Sequence, residues 1–278
     1  MPVRLRLDCA YDGAAFHGWA TQPGVRTVQG DLEAALATAL RVSAVPVTCA
    51  GRTDTGVHAR GQVVHVDVDP EVLSAASERS ADSPLTGLVR RVNGILPEDV
   101  RILRATKAPP DFDARFGAVW RRYVYRIADT PEAVDPLARH QVLSWARQLD
   151  EAAMQEAAAG LIGEHDFAAY CRRREGATTV RALLELQWRR TGSGLLECTV
   201  RADAFCHHMV RGLVGGLIAV GEGRRTTDWP REVLDAGARN PGLRVAPPHG
   251  LTLEEVGYAA DAELAERAAM TRRVRVRG

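Results

Sequence analysis

The sequence predicts an α+β protein built from two similar halves. Apolar residues alternate at period two in several short runs, and they recur every three to four residues in the runs between. That strand–helix rhythm occurs twice along the 278 residues. In the first half, Val3, Leu5, Leu7 and Cys9 share one face of a strand, with Arg4, Arg6 and Asp8 on the other. Asp12-Gly13 opens a loop carrying Phe16, His17 and Trp19 that ends near Pro23. Thr27 reads as a helix N-cap, and Val28, Leu32, Leu36 and Leu40 make Val28 to Arg41 an amphipathic helix. A strand at Val45 to Ala50, a turn at Gly51 to Gly56 and an alternating strand at Gln62 to Val68 come next. Ser74 to Pro84 is polar and reads as a loop insertion, before a short helix reaching Asn93 and a strand at Val100 to Ala105.

Ala108-Pro109-Pro110 is the expected boundary, dividing an N-terminal α+β domain at 1–108 from a second at 109–260. The second begins with a strand at Val119 to Ile127 and a helix around Glu151 to Ile162. Strands at Val180 to Arg189 and Leu195 to Ala202 precede a long helix from Phe205 to Val220. A capped helix near Trp229 and a strand at Leu251 to Tyr258 complete it. Helices are expected on one face of antiparallel-rich sheets in each half. The tail, 261–278, is Ala/Glu-rich and then Arg-rich and reads as flexible.

Composition narrows the function classes. Hydrophobic residues make up 46%, enough for real cores, and 36 basic against 35 acidic residues exclude a charge-dominated disordered chain. No apolar run approaches a membrane span, and charges interrupt the N-terminal segment, so neither membrane insertion nor a signal peptide is expected. Five cysteines without C-x-x-C spacing predict reduced thiols and a cytoplasmic protein, with no disulfide and no zinc. Lys107 is the sole lysine, and the arginines bunch at Arg115 to Arg126, Arg172 to Arg174 and Arg272 to Arg277. Such stripes can hold a polyanion even when net charge is only +1.

Three places could carry chemistry. In Gly51-Arg-Thr-Asp-Thr-Gly-Val-His58, Asp54 sits at the tip of a glycine-flanked turn after a strand. Either its carboxylate is held ionised for chemistry, or it merely closes an Asx-turn. Arg211 is the one charge in an otherwise apolar helix. Either it snorkels to solvent, or it needs an anion from elsewhere in the fold or from a bound phosphate. Pairing it with Asp54 would stitch the halves at a cleft. His207 and His208 precede it, pointing in different directions, with His207 on Arg211's face; they read as packing or RNA contacts rather than metal ligands. Between Asp111 and Arg126, aromatic and arginine side chains interleave, a mixture that suits phosphate contacts and base stacking. The same pattern also fits a half-buried sheet with core tyrosines at Tyr123 and Tyr125.

In order along the chain, these segments resemble the tRNA pseudouridine synthase A family. The likeness is carried by Tyr11-Asp-Gly13, Gly18-Trp19, Thr27-Val-Gln29, Gly51 to His58, Gly61-Gln-Val-Val-His65, Phe112-x-Ala-Arg-Phe116, Arg121-Arg-Tyr123, Phe205-x-His-His-Met-Val-Arg211 and Gly250-Leu251. The resemblance implies ferredoxin-like β-α-β-β-α-β halves sharing a central sheet, a homodimer, and isomerisation of uridine to pseudouridine at positions 38, 39 and 40 of the tRNA anticodon arm, without cofactor or metal. It assigns Asp54 as nucleophile or base, Arg211 as its ion-pair partner, Tyr123 as the ring stacked on the target uracil, and Arg52 as the residue that displaces the base. It places RNA contacts at Phe112, Arg115, Phe116, Arg121, Arg173, His207 and His208. Ser74 to Pro84 and Arg172 to Glu175 depart from the family pattern, and Gly212 stands where asparagine is common.

Two other classes compete. A non-catalytic tRNA-binding module, acting as a chaperone, would use the same basic and aromatic stripes. A glycoside hydrolase would need a second carboxylate facing the first, and none is evident.

Overall fold

The computed structural model describes residues 1–77, 83–172, 178–238, 240–266 and 268. It comprises two compact units, Met1–Val119 with the segment from Leu253, and Trp120–Thr252. Both are α+β, as the periodicities predict.

In the first unit, strand β1 (Val3–Tyr11) lies between β3 (His58–Val68) and β4 (Val100–Lys107), antiparallel to both. Strand β10 (Leu251–Tyr258) borders β3 on its other side, and the short β2 (Thr48–Cys49) also pairs with β3. The pleat puts Leu5, Leu7, Cys9 and Tyr11 on a buried face. Opposite them, in register, come Val66, Val64, Gln62 and Ala59.

Helix α1 (Val28–Leu40) buries Val28, Leu32, Leu36 and Leu40, and the Thr27 hydroxyl caps it by accepting from the Gly30 amide. Helices α2 (Pro70–Ser77) and α3 (Pro84–Ile95) follow. The Asn93 amide exchanges two 2.8 Å hydrogen bonds with the Ile102 backbone, tying α3 to β4. β2 is shorter than its apolar run because the Val47 amide donates to the Glu33 carboxylate instead of a strand. The expected Ser74 to Pro84 insertion is also corrected: Ser74 to Ser77 finish α2 and Pro84 opens α3, while 78–82 lie outside the described residues.

The second unit orders its strands β5 (Ala118–Ala128), β9 (Leu196–Ala202), β8 (Val180–Arg190) and β7 (Gly163–Asp166), each antiparallel to the next. β6 (Leu143–Ser144) runs parallel to the end of β5. Helix α4 (Glu151–Ala159) packs against β8 and against α5 (Met209–Gly221), and α6 (Trp229–Ala236) touches both helices. Every residue of α5 except Arg211 is buried. The Asp228 side chain does not cap α6; Pro230 near the start and Gly237 in the left-handed region bound that helix.

The division between units falls within β5 and β10 rather than at the diproline. The Arg4 guanidinium donates to the carbonyls of Pro110 and Phe112, and the Ala114 amide donates to His65, so the segment after the prolines stays with the first unit. The expectation of reduced thiols is corrected as well. Cys171 and Cys206 form a disulfide, with Cα atoms 5.8 Å apart and positions 35 apart in sequence, while Cys9, Cys49 and Cys198 are buried thiols outside any disulfide. The tail is described only as far as 268, apart from 267, so the expected flexible end lies mostly outside the described residues. Among the described residues no helix is long and apolar enough to cross a membrane.

Candidate active site

In the first unit the turn from Gly51 to Gly56 leaves β2 and enters β3. Along it Arg52 and Thr55 are exposed, Thr53 is buried and Asp54 is half-buried. Its backbone is gripped from the loop that follows β1. The Trp19 amide donates to the Thr53 carbonyl at 3.0 Å, and the Gly56 amide donates to the Phe16 carbonyl at 3.3 Å. The Val57 amide closes the turn onto the Asp54 carbonyl at 3.1 Å. Beneath it, the Gln62 amide donates to the Gly51 carbonyl at 2.8 Å, and the Tyr11 and Thr53 hydroxyls are bonded at 2.8 Å.

Two glycines make this approach possible. Gly18 has φ +89°, and a Cβ there would lie 2.9 Å from the Thr53 carbonyl oxygen. At Gly13 a Cβ would lie 2.1 Å from the Val57 carbonyl oxygen. Only glycine fits either position. The Gly13 amide approaches Nδ1 of buried His58 at 2.9 Å, and the Asp12 carboxylate lies 3.0 Å from the same nitrogen, so the imidazole ties the loop to the start of β3. Phe16 and Trp19, both buried, anchor the loop, and the Arg26 guanidinium stacks over the Phe16 ring at 4.1 Å. The result is a carboxylate-bearing turn with a backbone fixed on two sides.

The other basic and aromatic candidates of the first unit divide by exposure. Phe112 is buried against Tyr258, ring centroids 4.9 Å apart, and so belongs to the packing. Arg115 is exposed and lies over the half-buried Phe116 ring at 5.1 Å. The Asp113 carboxylate holds that segment by accepting from the Arg115 and Phe116 amides at 2.8 and 2.9 Å.

In the second unit, Tyr123 on β5 is buried edge-on against Phe205, with ring centroids 5.2 Å apart and an interplanar angle of 90°. Two residues along the same face of β5, Tyr125 is fully buried and donates to the Pro247 carbonyl at 2.8 Å; burial pushes its phenol pKa up. Arg121 is buried too, and its guanidinium donates to the Asp203 carbonyl at 2.7 Å, tying β5 to the chain beyond β9. Arg211, in the first turn of α5, is half-buried and donates through Nε to the Ala246 carbonyl at 2.8 Å.

The histidine pair is arranged differently from the sequence expectation. α5 begins at Met209, so His207 lies before the helix and shares no helical face with Arg211. His208 adopts φ +69°, and this left-handed residue turns the chain so that the two imidazoles lie together, centroids 4.1 Å apart, rather than diverging. The Arg172 amide donates to the His207 carbonyl at 2.8 Å, and the disulfide joins the neighbouring Cys171 and Cys206. Arg173, expected as an RNA contact, lies outside the described residues.

Sequence reasoning gave no role to Tyr11, Thr53, Gln62 or Phe205. A signal for two of them was present. Tyr11 and Gln62 each continue the apolar face of an alternating strand, and a hydroxyl or amide on a core face needs a partner.

Against known proteins, residues 157–259 match the tRNA pseudouridine synthase family profile. A protein of Frankia casuarinae named tRNA pseudouridine synthase A is 58% identical over 274 residues, covering 99% of this chain and 96% of its own. A protein of the same name from Streptomyces griseus is 58% identical, covering 98% and 94%, and one from Mycobacterium leprae is 49% identical, covering 98% and 96%. A solved Cbf5-Nop10-Gar1 complex contains a chain that aligns at TM-score 0.32 and 11% identity, over 77% of this chain and 54% of that one. Identity at this level over nearly the whole length places the chain in the tRNA pseudouridine synthase A family.

Proposed function

We propose that the protein isomerises uridine to pseudouridine in tRNA, with Asp54 at the centre of the chemistry. The observation that carries this reading is the turn itself: a half-buried aspartate two residues after an exposed arginine and directly before an exposed threonine, on a backbone held by Trp19, Phe16 and Gln62, with the Thr53 hydroxyl bonded to Tyr11. A site that must act on one sugar carbon needs its carboxylate in one place.

In the reaction the bond from C1′ to N1 of uracil breaks, the base rotates, and C1′ joins C5. The proton of C5 leaves and N1 gains one, so atoms and electrons balance within the nucleotide and no redox partner is needed. Asp54 either attacks C1′ or removes the 2′-hydrogen; both routes require it ionised. Arg211, from the second unit, is assigned to balance its charge, and a charge-assisted guanidinium–carboxylate pair serves either route. Tyr123, held edge-on by Phe205, offers the flat apolar wall against which uracil turns. Arg52, exposed beside Asp54, enters the space left when the base flips out of its stack.

Arg115, Phe116, His207, His208 and Arg173 are assigned to RNA contact. Phe112 and Arg121, being buried, are assigned to support of that surface. The family likeness further supports action at positions 38, 39 and 40 of the anticodon arm, by a homodimer in the cytoplasm.

The test is incubation of unmodified tRNA with the native protein and with Asp54→Ala. Asp54→Ala should lower turnover at least about a thousand-fold while tRNA binding persists. Undiminished pseudouridine formation by the variant would end the assignment. Release of free uracil would point to hydrolysis, and tRNA binding by the native protein without modified uridine would point to a chaperone.

A further inference from the structure

Beneath the Asp54 turn lies a short chain of polar groups, all within the first unit, that the reaction chemistry does not use. Gln62 is fully buried on β3, on the face otherwise lined by Val64, Val66 and Val68. Its Nε2 is within 2.8 Å of the Gly51 carbonyl oxygen and 3.2 Å of the Tyr11 hydroxyl. Tyr11, buried at the end of β1, is 2.8 Å from the Thr53 hydroxyl. Thr53 is buried and directly precedes Asp54.

Proton counting fixes the orientation of the Gln62 amide. A carbonyl oxygen only accepts, so the group facing Gly51 must be the amide nitrogen of Gln62 rather than its oxygen. That nitrogen has two protons, one for Gly51 and one for the Tyr11 oxygen. The Tyr11 and Thr53 hydroxyls then share a 2.8 Å hydrogen bond in which either can donate. Reversing the amide would face two acceptors at Gly51 and break the chain at its first link. In this orientation the Gln62 Oε1 is buried with no partner among the described residues. Leaving a buried acceptor unsatisfied is destabilising, so the amide is oriented for the turn at the expense of its own oxygen.

We propose that Gln62 and Tyr11 are positioning residues. They hold the Gly51 and Thr53 ends of the turn so that the Asp54 carboxylate is presented in one geometry. Gln62 fixes the carbonyl where the turn begins, and Tyr11 fixes the side chain that precedes the aspartate. The inference rests on the reading of Asp54 as the catalytic carboxylate. It predicts loss of turnover rather than loss of tRNA affinity, because none of these three side chains is assigned to contact RNA.

The experiment measures kcat and KM on unmodified tRNA for Tyr11→Phe, Thr53→Val, Thr53→Ser and the Tyr11→Phe/Thr53→Val double variant, with Val64→Ala and Asp54→Ala beside them. Tyr11→Phe and Thr53→Val should each lower kcat about tenfold with KM within about twofold of native. Thr53→Ser, which keeps the hydroxyl, should retain native kcat. The double variant should be no slower than the slower single one, because both break the same link. Val64→Ala thins the β3 core without touching the relay, and should lower thermal stability while leaving kcat unchanged.

Native kcat in both Tyr11→Phe and Thr53→Val would overturn the proposal, as would additive losses in the double variant or an equal fall of kcat in Val64→Ala. Should Tyr11→Phe fail to fold, the contrast between Thr53→Val and Thr53→Ser decides by itself. Activity in Asp54→Ala would sink the catalytic reading, whereas inactive Asp54→Ala beside native-like relay variants would sink this inference alone.

Discussion

Asp54 in the first unit and Asp129 in the second are both aspartates where a strand meets a loop, but they are held in opposite ways. The Asp129 side chain is fully buried, and both of its oxygens are engaged. Arg190 donates to them at 2.6 and 2.9 Å, and the Leu149 amide donates to one at 2.8 Å. Burial pushes its pKa up, but Arg190 and the backbone donors outweigh that and hold the carboxyl below its usual value. Around Asp54 the hydrogen bonds fix the backbone and the neighbouring Thr53, leaving the residue half-buried. At Asp129 the bonds run to the carboxylate itself and stabilise the fold; at the Asp54 turn the bonds to backbone and Thr53 set where the aspartate stands.

Substituting alanine at each position should separate the two roles. Asp54→Ala should lower turnover at least about a thousand-fold and cost less stability than Asp129→Ala. Asp129→Ala removes both carboxylate oxygens from Arg190 and the acceptor of the Leu149 amide, and should cost about 3 kcal/mol of stability, while turnover per folded molecule is unchanged. Urea unfolding and single-turnover assays on both variants check the pair, and similar stability losses at the two sites would erase the contrast.

The grip on the Asp54 turn can be loosened from outside. Gly18→Ala meets the Thr53 carbonyl at 2.9 Å and requires a left-handed alanine as well. Gly24→Ala also requires φ +75° but has nothing within 4 Å. Both should lose about 1 kcal/mol to backbone strain. Only Gly18→Ala should also slow turnover, by about tenfold, because it displaces the residue next to Asp54. Equal turnover in the two variants would show that the loop does not set the position of the turn.

Much of this was legible in the sequence because it is local. The strand expected at Leu251 to Tyr258 matches β10 residue for residue, and the four-residue spacing from Val28 matches α1. The Asp54 turn stood out because its glycines, arginine and aspartate are contiguous. What the sequence hid depends on contacts between distant residues or on a single dihedral. The Cys171–Cys206 link spans 35 residues, and no short spacing announces it. The diproline is not the boundary because Arg4, over a hundred residues away, holds the segment beyond it. The paired imidazoles follow from φ +69° at His208. In the arginine–aromatic stretch, alternation says which residues share a face but not which of them are buried, and there Phe112 and Arg121 turned inward. Tyr11 and Gln62 were visible as polar residues on apolar faces, but their meeting depends on the antiparallel register that sets Cys9 opposite Gln62.

The smallest expected effect concerns acid sensitivity of the first unit, and it has a definite sign. His65 on β3 accepts the Ala114 amide at Nδ1 over 3.0 Å. Burial lowers its pKa, the Arg4 charge lowers it further, and Asp113 and Asp67 only partly oppose this. The unfolded imidazole, with a pKa near 6.5, therefore binds a proton that the folded one resists. The stability that neutral His65 contributes is complete above that unfolded value and is lost as pH falls below it. Urea midpoints between pH 7.5 and about 5 should decline for the native protein, with His65 accounting for roughly 1 kcal/mol or less. His249 is also lowered by burial and contributes to the same slope, so the comparison must be with His65→Gln, which keeps an acceptor for Ala114 but does not titrate. The variant's midpoints should fall less steeply than the native ones, and superimposable curves would show that His65 takes no part in the acid response.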